Sequence, residues 1–356
     1  MRFETIEYLG WFKTKGKAKI DLCRSGVEDC SLGDLNIDMK KLRISGENSY
    51  GYLPLMEAIA ARYKVGEGNV ITTTGTSQAI FMVCAALLER GDEVLIEKPT
   101  YEPLLAVPNA LEANVLRIER EFEDRYLINL EKFESLISSR TKLVILTDLH
   151  NPSGVLLERS LLKNLINIAL EKRIMVLVDE IYLDFLEGQE TSFSLADNVI
   201  VISSLTKVYG LGDLRCGWVL CRPHLAGKLR RIIDYIDVEG VFVGEQISAE
   251  SFPQLDSLRE KSKPLVEENI SILRKFIQEE EKLSWVEPQG GVVCFPRIES
   301  NTSGDELAAI LSEKYETSIV PGSFFEESRH FRLGFGLNPQ VLARGLENIK
   351  MALKEI

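Results

Sequence analysis

Reactive side chains follow four short apolar runs of the chain, which we predict to be strands. The runs are Glu93–Glu97, Lys142–Thr147, Ile174–Val178 and Asn198–Ser203. The segments directly after them are, in the same order, Pro99–Tyr101, His150–Gly154, Asp179–Tyr182 and Ser204–Lys207. Ligands of open α/β sheets bind outside the carboxyl ends of the strands. An aromatic ring, an amide, a carboxylate, a phenol, a hydroxyl and a lysine are therefore expected at one edge of a sheet.

This set of groups is what a pyridine aldehyde phosphate needs in order to bind and react. A lysine amine forms a Schiff base with the aldehyde, and a carboxylate keeps the ring nitrogen protonated so that the ring accepts electrons. An amide and a phenol hold the ring hydroxyl. Thr74–Ser77 opens a predicted helix over Ser77–Glu89, where free N–H groups and the helix dipole attract a phosphate.

Five motifs, in this order and at these spacings, resemble those of the class I/II aminotransferase family, pyridoxal 5′-phosphate (PLP) enzymes of fold type I. The resemblance covers nearly the whole chain. It implies that Lys207 is the Schiff-base lysine and that Asp179 is the partner of the ring nitrogen. It further implies that Tyr182 and Asn151 hold the ring hydroxyl, and that Tyr101 stacks on the ring. Lys207, Asp179 and Tyr182 are the expected catalytic residues.

The resemblance also implies a phosphate site. Arg215 stands eight residues after Lys207, in the segment Gly212–Gly217, and resembles the phosphate-binding arginine. Ser204 resembles a second phosphate ligand. The amides of Thr76 and Ser77 resemble those of the phosphate loop.

On the substrate side, Arg332 resembles the arginine that clamps the α-carboxylate. Gly26 resembles a glycine beside the substrate, and Asn151 is expected there as well. A tyrosine that reaches the phosphate of a neighbouring subunit corresponds to Tyr50 or Tyr52, and we favour Tyr50. The implied assembly is a homodimer with shared active sites.

The reaction implied is ping-pong amino transfer between an L-amino acid and a 2-oxo acid. Within the same fold, a β-lyase, a decarboxylase, a racemase or a cyclase is an alternative, and so is a PLP-binding protein without catalysis. A nicotinamide-dependent dehydrogenase is a poorer alternative. Gly210 and Gly212 imitate the start of a dinucleotide loop, but Arg215 stands where its third glycine belongs.

Three features have more than one interpretation. His150 either touches substrate or is structural. The aromatic start of the chain, with Tyr8, Trp11 and Phe12, either covers the substrate pocket or packs at a dimer interface. Arg24 and Arg43 lie where a second carboxylate-binding arginine could arise, but no motif singles out either, which disfavours dicarboxylate substrates.

The elements that must position these groups alternate between strand and helix. The apolar runs, with helical patterns such as Ser160–Lys172 between them, predict an α/β fold with a mostly parallel sheet covered by helices on both faces. The strand Gly217–Cys221 follows Lys207 too soon for a crossover helix, so it could run antiparallel. After a long helix predicted over Lys261–Lys282, the pattern becomes that of a small α+β unit.

The predicted organisation is an N-terminal arm over residues 1–40 that packs with the small domain, a PLP-binding domain over 41–255 and the small C-terminal domain over 256–356. At 356 residues, the chain has room for about two domains.

Composition excludes several other classes of protein. The chain carries 42 basic and 54 acidic residues, a net charge of −12, which disfavours binding to nucleic acids. The longest apolar run, Ala79–Leu88, is too short to span a membrane, and the first residues do not resemble a signal peptide. The six cysteines form no CxxC pair, so no metal site is expected. We expect a cytoplasmic protein.

Overall fold

The computed structural model describes residues 2–16 and 18–356. The strands of this part of the chain are β1 Ile20–Asp21, β2 Val70–Thr73, β3 Glu93–Lys98, β4 Asn114–Glu119, β5 Thr141–Thr147, β6 Met175–Asp179, β7 Val199–Ser204, β8 Gly217–Leu220, β9 Leu283–Ser284, β10 Val293–Cys294, β11 Arg297–Ile298, β12 Thr317–Ser318, β13 Val320–Pro321 and β14 Phe331–Gly334. Its helices are α1 Glu7–Thr14, α2 Leu53–Tyr63, α3 Thr76–Leu87, α4 Glu102–Ala110, α5 Leu130–Ser135, α6 Arg159–Glu171, α7 Pro223–Ile236, α8 Phe242–Ser251, α9 Leu255–Glu279, α10 Gly304–Tyr315 and α11 Pro339–Leu353. None of these helices combines the length and the apolar character that a membrane crossing requires.

The large sheet has seven strands in the order β2-β8-β7-β6-β5-β3-β4. The five strands from β7 to β4 run parallel to one another. Strand β8 is antiparallel to both of its neighbours, β2 and β7. The predicted α/β fold with a mostly parallel sheet is confirmed, and so is the antiparallel direction of the strand that begins at Gly217.

The middle residues of the central strands are apolar because helices cover both faces of the sheet. In β6, Leu177 points into the core that contains Ile80 of α3 and Leu229 of α7. Its neighbours Val176 and Val178 point into the opposite core, which contains Leu165 of α6. Successive side chains of a strand alternate between its two faces, so consecutive residues in the middle of such a strand are all apolar.

Two strands of the large sheet were not predicted. Strand β4 lies at one edge of the sheet, is partly exposed and alternates polar with apolar residues. Strand β2 lies at the other edge and half of its four residues are threonines. The long helix α9 begins at Leu255, six residues before the predicted start at Lys261, because the buried Leu255 side chain anchors its first turn.

The C-terminal part of the chain packs around its own core. Strands β10, β14 and β13 form a small antiparallel sheet, and β1 pairs in parallel with β12. Ile20 and Leu22 share an apolar cluster with Leu333 and Leu346. The division of the chain at residues 40 and 255 stays a prediction.

Candidate active site

A cavity of about 210 Å³ opens at the carboxyl ends of the parallel strands, where the sequence predicted one. Strands β5, β6 and β7 end there, as does the loop after β3. The residues that line the cavity are Tyr8, Leu9, Phe12, Ser25, Thr76, Ser77, Tyr101, Asn151, Asp179, Ile181, Tyr182, Thr206, Lys207 and Arg215. Eight of the residues predicted from the sequence to hold the cofactor are among them.

Lys207 is half-buried and holds its amine at the wall of this cavity. Its Nζ donates a hydrogen bond to Ser25 Oγ at 2.9 Å. Burial, together with the positive charge of Arg332, lowers the pKa of Lys207 to about 8. The main chain of Lys207 packs on Gly26, where a Cβ would lie 3.2 Å from Lys207 Cα. The amine is therefore more readily neutral, and more nucleophilic, than an ordinary lysine.

Asp179 ends strand β6 and is buried in the same cavity. Its Oδ1 accepts a hydrogen bond from the Ile181 amide at 3.1 Å. Burial raises the pKa of Asp179 to about 7. A cationic ring nitrogen beside this carboxyl would offset the cost of burial and keep it ionised.

The start of helix α3 forms an anion site with Arg215. The guanidinium of Arg215 donates from Nη2 to the Thr74 carbonyl at 3.0 Å. Gly75 has φ +86°, and a Cβ there would lie 2.5 Å from Arg215 Nη2. The first N–H groups of α3, at Thr76 and Ser77, have no carbonyl partner within the helix. A phosphate fits between these N–H groups and the guanidinium.

Two phenols, of the buried Tyr182 and the half-buried Tyr101, line the cavity together with the amine and the carboxyl. Burial raises the pKa of Tyr182 to about 12, and it also raises the pKa of Tyr101. Both phenols are neutral at physiological pH and can donate a hydrogen bond. The ring of Tyr101 is held edge-on by that of Tyr8, with 5.8 Å between the ring centroids.

Arg332 lies behind the cavity, fully buried, and joins two of the lining residues. Its Nη1 donates to Asn151 Oδ1 at 3.2 Å. Its Nη2 donates to the Tyr8 hydroxyl at 2.7 Å and to the Cys23 carbonyl at 3.3 Å. Its Nε has no hydrogen-bond partner among residues 2–16 and 18–356. A guanidinium with donors to spare in a buried position suits a carboxylate.

Helix α1 covers the cavity with Tyr8, Leu9 and Phe12. The helix is held there by Glu102, whose carboxylate accepts the backbone N–H of Glu7 at 3.0 Å and that of Tyr8 at 2.6 Å. The other aromatic residue of this helix, Trp11, packs on Phe324 outside the lining, with 5.3 Å between the ring centroids. Of the two interpretations of the aromatic start, the structure supports a cover over the pocket.

Four further lining residues were not singled out from the sequence: Leu9, Ser25, Ile181 and Thr206. Ile181 and Thr206 lie within motifs that were recognised for their neighbours, so a full reading of those motifs would have included them. Ser25 likewise stands next to Gly26, which the sequence singles out, whereas Leu9 carries no such signal.

Four predicted site residues are not among those that line the cavity: Arg332 and Gly26, described above, and Ser204 and Tyr50. Ser204 is buried at the end of β7, where its hydroxyl accepts the Thr206 amide at 3.3 Å. Tyr50 is half exposed, and its hydroxyl bonds to Asp234 at 3.3 Å. Tyr52 instead packs on the ring of Phe242 within its own chain. Of the two tyrosines, Tyr50 is therefore the one whose ring is available to a neighbouring subunit.

His150 is fully buried and has two hydrogen-bond partners. Its Nε2 lies 2.9 Å from the Pro99 carbonyl and its Nδ1 lies 2.6 Å from Ser153 Oγ. A carbonyl only accepts, so Nε2 carries the proton and Nδ1 accepts from the serine hydroxyl. Burial lowers the pKa of His150 well below its usual value. This neutral ring ties the loop of Asn151 to the loop of Tyr101 and takes no part in lining the cavity.

Neither candidate for a second carboxylate-binding arginine lines the cavity. Arg24 is paired with Asp29 at 2.6 Å. Arg43 is exposed, and its backbone N–H bonds to the side chain of Gln246. A larger cleft, of about 850 Å³, lies along α9 and contains none of the predicted site residues.

The two glycines that imitate a dinucleotide loop serve the packing of the chain. Gly210 has φ +66°, and a Cβ there would lie 2.3 Å from the Glu28 carbonyl oxygen. The backbone N–H of Cys30 donates to the Gly210 carbonyl at 2.8 Å. Close approach of the N-terminal segment, rather than a nucleotide, requires glycine here.

The residues present fit pyridoxal phosphate at each end of the molecule. Arg215 and the start of α3 suit its phosphate, while Asp179 suits its ring nitrogen. Lys207 suits its aldehyde, and the room that Gly75 leaves keeps the guanidinium in place. The fold and this arrangement together define a fold type I enzyme that depends on pyridoxal 5′-phosphate.

The chain belongs to the aminotransferase class I and II family, whose model matches residues 36–349. It is 29% identical to capreomycidine synthase of Streptomyces vinaceus over 355 residues, which cover 95% of this chain and 90% of that protein. A solved PLP-dependent aminotransferase of Streptococcus suis is 26% identical, with a TM-score of 0.94 and coverage of 100% and 99% of the two chains. The solved PLP-dependent cyclase OrfR is 24% identical, with a TM-score of 0.91 and coverage of 100% and 98%.

Proposed function

We propose that this protein is an aminotransferase that moves an amino group from an L-amino acid to a 2-oxo acid in ping-pong fashion. One observation carries the proposal. The half-buried Lys207 amine shares a single cavity with the Asp179 carboxyl, while the buried Arg332 is bonded to two residues of the cavity wall. This is the set of groups that a PLP-dependent amino transfer uses, and the family to which the chain belongs supports the same reaction.

When bound, pyridoxal phosphate supplies an electron sink for the negative charge that develops at the substrate Cα. The residues of the chain bind and orient the substrate beside it, and they move the protons. Arg332 binds the substrate carboxylate and so directs the Cα–H bond. The Lys207 amine, whose pKa is lowered to about 8 so that it is neutral more often than an ordinary lysine, takes the Cα proton and returns it to the carbon that carried the aldehyde of the cofactor. Asp179 holds a proton at the ring nitrogen.

The cavity wall favours substrates whose side chain carries no second carboxylate. Leu9, Phe12 and Ile181 supply apolar surface, and neither Arg24 nor Arg43 lines the cavity. A second carboxylate buried against this surface without a partner would cost several kcal/mol. Neutral amino acids are the substrate class that we propose.

The proposed assembly is a cytoplasmic homodimer in which Tyr50 reaches the phosphate of the other subunit. Tyr50 and Arg215 face one small recess. Exposed apolar side chains lie at the end of α7, at Tyr235 and Ile236, and just after it, at Val238. A second copy of the chain would remove this apolar surface from water.

The absorbance of the purified protein, recorded before and after the addition of single amino acids, tests the proposal. We expect a yellow chromophore that borohydride fixes to the protein and that a neutral amino acid bleaches while its 2-oxo acid accumulates. Lys207→Ala should lose the fixed chromophore and all turnover, whereas Lys163→Ala, at an exposed lysine of α6, should keep both. Turnover in Lys207→Ala would end the assignment.

Ring closure is the second candidate reaction, because one of the similar solved structures is a PLP-dependent cyclase. Product analysis distinguishes the two reactions. A 2-oxo acid in equal amount to the bleached chromophore indicates amino transfer. A cyclic amino acid, with the chromophore restored, indicates ring closure.

A further inference from the structure

A buried ion pair lies beneath the active site and takes no part in the proposed chemistry. Arg120 Nη1 and Glu97 Oε2 are 2.6 Å apart, and neither side chain is exposed to solvent. Arg120 is held in turn by the Tyr126 carbonyl, to which its Nε donates at 2.6 Å. The other carboxylate oxygen, Glu97 Oε1, faces strand β5.

Thr147, the last residue of β5, bonds to this oxygen twice. Its backbone N–H donates to Glu97 Oε1 at 2.8 Å, and its hydroxyl donates to the same oxygen. The groups that hydrogen-bond to the Glu97 carboxyl, from Arg120 and Thr147, all donate to it, so it accepts as a carboxylate. The single hydroxyl proton of Thr147 is thereby directed at Glu97, and the lone pairs of its oxygen remain free to accept.

The oxygen of the Thr147 hydroxyl accepts a hydrogen bond from the main chain of Asn151. The Asn151 backbone N–H donates to Thr147 Oγ1 at 3.0 Å. Thr147 also lies directly opposite Asp179 in the register of β5 and β6. The hydroxyl therefore connects a fixed buried charge to the loop that carries the Asn151 amide.

The side chain of Asn151 has its orientation set from the other end. Arg332 carries donors only, so the atom of Asn151 that it contacts must be the amide oxygen. Asn151 lines the cavity. Its amide nitrogen is then left to donate to a ligand there. In the assignment made above, this ligand is the ring oxygen of the cofactor.

We propose that Thr147, anchored on the Glu97–Arg120 ion pair, is a positioning residue that sets the hydrogen bond from Asn151 to the cofactor. It acts through Asn151 and touches no reacting atom. The proposal concerns the PLP site itself and holds for amino transfer and for ring closure alike.

The pKa of the lysine-bound chromophore reports this hydrogen bond. An N–H donated to the ring oxygen competes with the proton on the lysine nitrogen for the same oxygen. When the donor is weakened, that proton is held more tightly and the pKa rises. Titration of the visible absorbance with pH measures this pKa without any turnover.

The decisive variant is Thr147→Val, which keeps the shape of the side chain and removes the hydroxyl. We expect it to raise the pKa of the chromophore by roughly half a pH unit, in the same direction as Asn151→Ala. Thr147→Ser, which retains the hydroxyl, should restore the value of the unaltered protein. If Thr147→Val does not fold, Thr147→Ala removes the same hydroxyl with less crowding and should raise the pKa likewise.

A double-mutant cycle separates positioning from general stability. With Asn151 already replaced by Ala, Thr147→Val should leave the pKa of the chromophore unchanged, although the melting temperature still falls. An equal rise in both backgrounds, or none in either, would overturn the proposal. An unchanged pKa in Asn151→Ala alone would also overturn it, because its premise would be wrong, and the assignment of amino transfer would stand.

Discussion

The hydroxyl of Tyr8 lies 2.7 Å from Nη2 of Arg332, although 324 residues separate them in the chain. The phenol oxygen accepts from the guanidinium, and its own proton remains available to a substrate carboxylate. We expect Tyr8→Phe to raise the KM for the amino acid about tenfold with little change in kcat, because a charge-assisted hydrogen bond is lost. Trp11→Phe, on the same helix but outside the lining, is the matched control. A KM that stays the same in Tyr8→Phe would argue against contact with substrate.

The acidity of Lys207 should govern how fast the apo-protein takes up an aldehyde. Its pKa of about 8 means that the neutral amine becomes dominant above that pH. The rate of chromophore formation with pyridoxal should rise about tenfold per pH unit up to about pH 8 and then level off.

The positive charge of Arg332 helps to set the pH at which the rate of chromophore formation levels off. Arg332→Met removes a positive charge near Lys207, so the rise should move to higher pH. Arg332→Lys keeps the charge and should keep the profile. Identical profiles for the Met and Lys variants would show that burial alone lowers the pKa of Lys207.

Asp179 has opposite effects on catalysis and on the stability of the apo-protein. Its pKa is about 7 in the folded protein, against an ordinary value of 3.8, because it is buried. A carboxyl of this kind binds its proton more tightly when folded. Its contribution to stability is therefore present below about pH 4 and is lost as the pH rises through about 7.

Asp179→Asn should accordingly stabilise the apo-protein relative to the unaltered chain as the pH rises from about 5 to about 8. The same variant should reduce kcat by on the order of 10² to 10³, because the proton at the ring nitrogen loses its partner. Denaturant unfolding at several pH values and single-turnover kinetics measure the two effects. A variant with full kcat would show that Asp179 is not the partner of the ring.

Tyr50 and Tyr52 should differ in their effect on cofactor affinity. Tyr50→Phe removes a hydroxyl that we assign to the phosphate of the other subunit, so the Kd for pyridoxal phosphate should rise about tenfold. Tyr52→Phe should leave the Kd unchanged, since that ring packs on Phe242 in its own chain. Equal Kd values for both variants and the unaltered protein would exclude a shared phosphate site built on Tyr50.

The parts of the fold that can be predicted from the sequence are those in which burial on both faces requires an unbroken run of apolar residues. Strands β5, β6 and β7 are buried on both faces, so their β-branched runs and the reactive residues after them stand out. Strand β4 is half exposed at an edge and gives no such run. Asp179 and Lys207 are predictable for the same reason, because Asp179 ends one of these strands and Lys207 closely follows another.

The contacts that were not predictable are long-range and polar. The approach of Tyr8 to Arg332 depends on how the first helix crosses the molecule, which no local pattern encodes. Glu97 and Thr147 stand at the ends of two apolar runs and resemble ordinary strand ends that face water. Only the packing of β3 against β5 shows that both are buried and bonded to each other.

The ion pair between Glu97 and Arg120 also constrains how the chain can change over evolutionary time. Loss of either partner alone would leave an unpaired buried charge, at about 3–5 kcal/mol, whereas replacement of both by apolar residues can be neutral. A lineage can therefore leave this arrangement only by two substitutions made nearly together. Descendants of this sequence are expected to keep positions 97 and 120 as a pair or to exchange them as a pair.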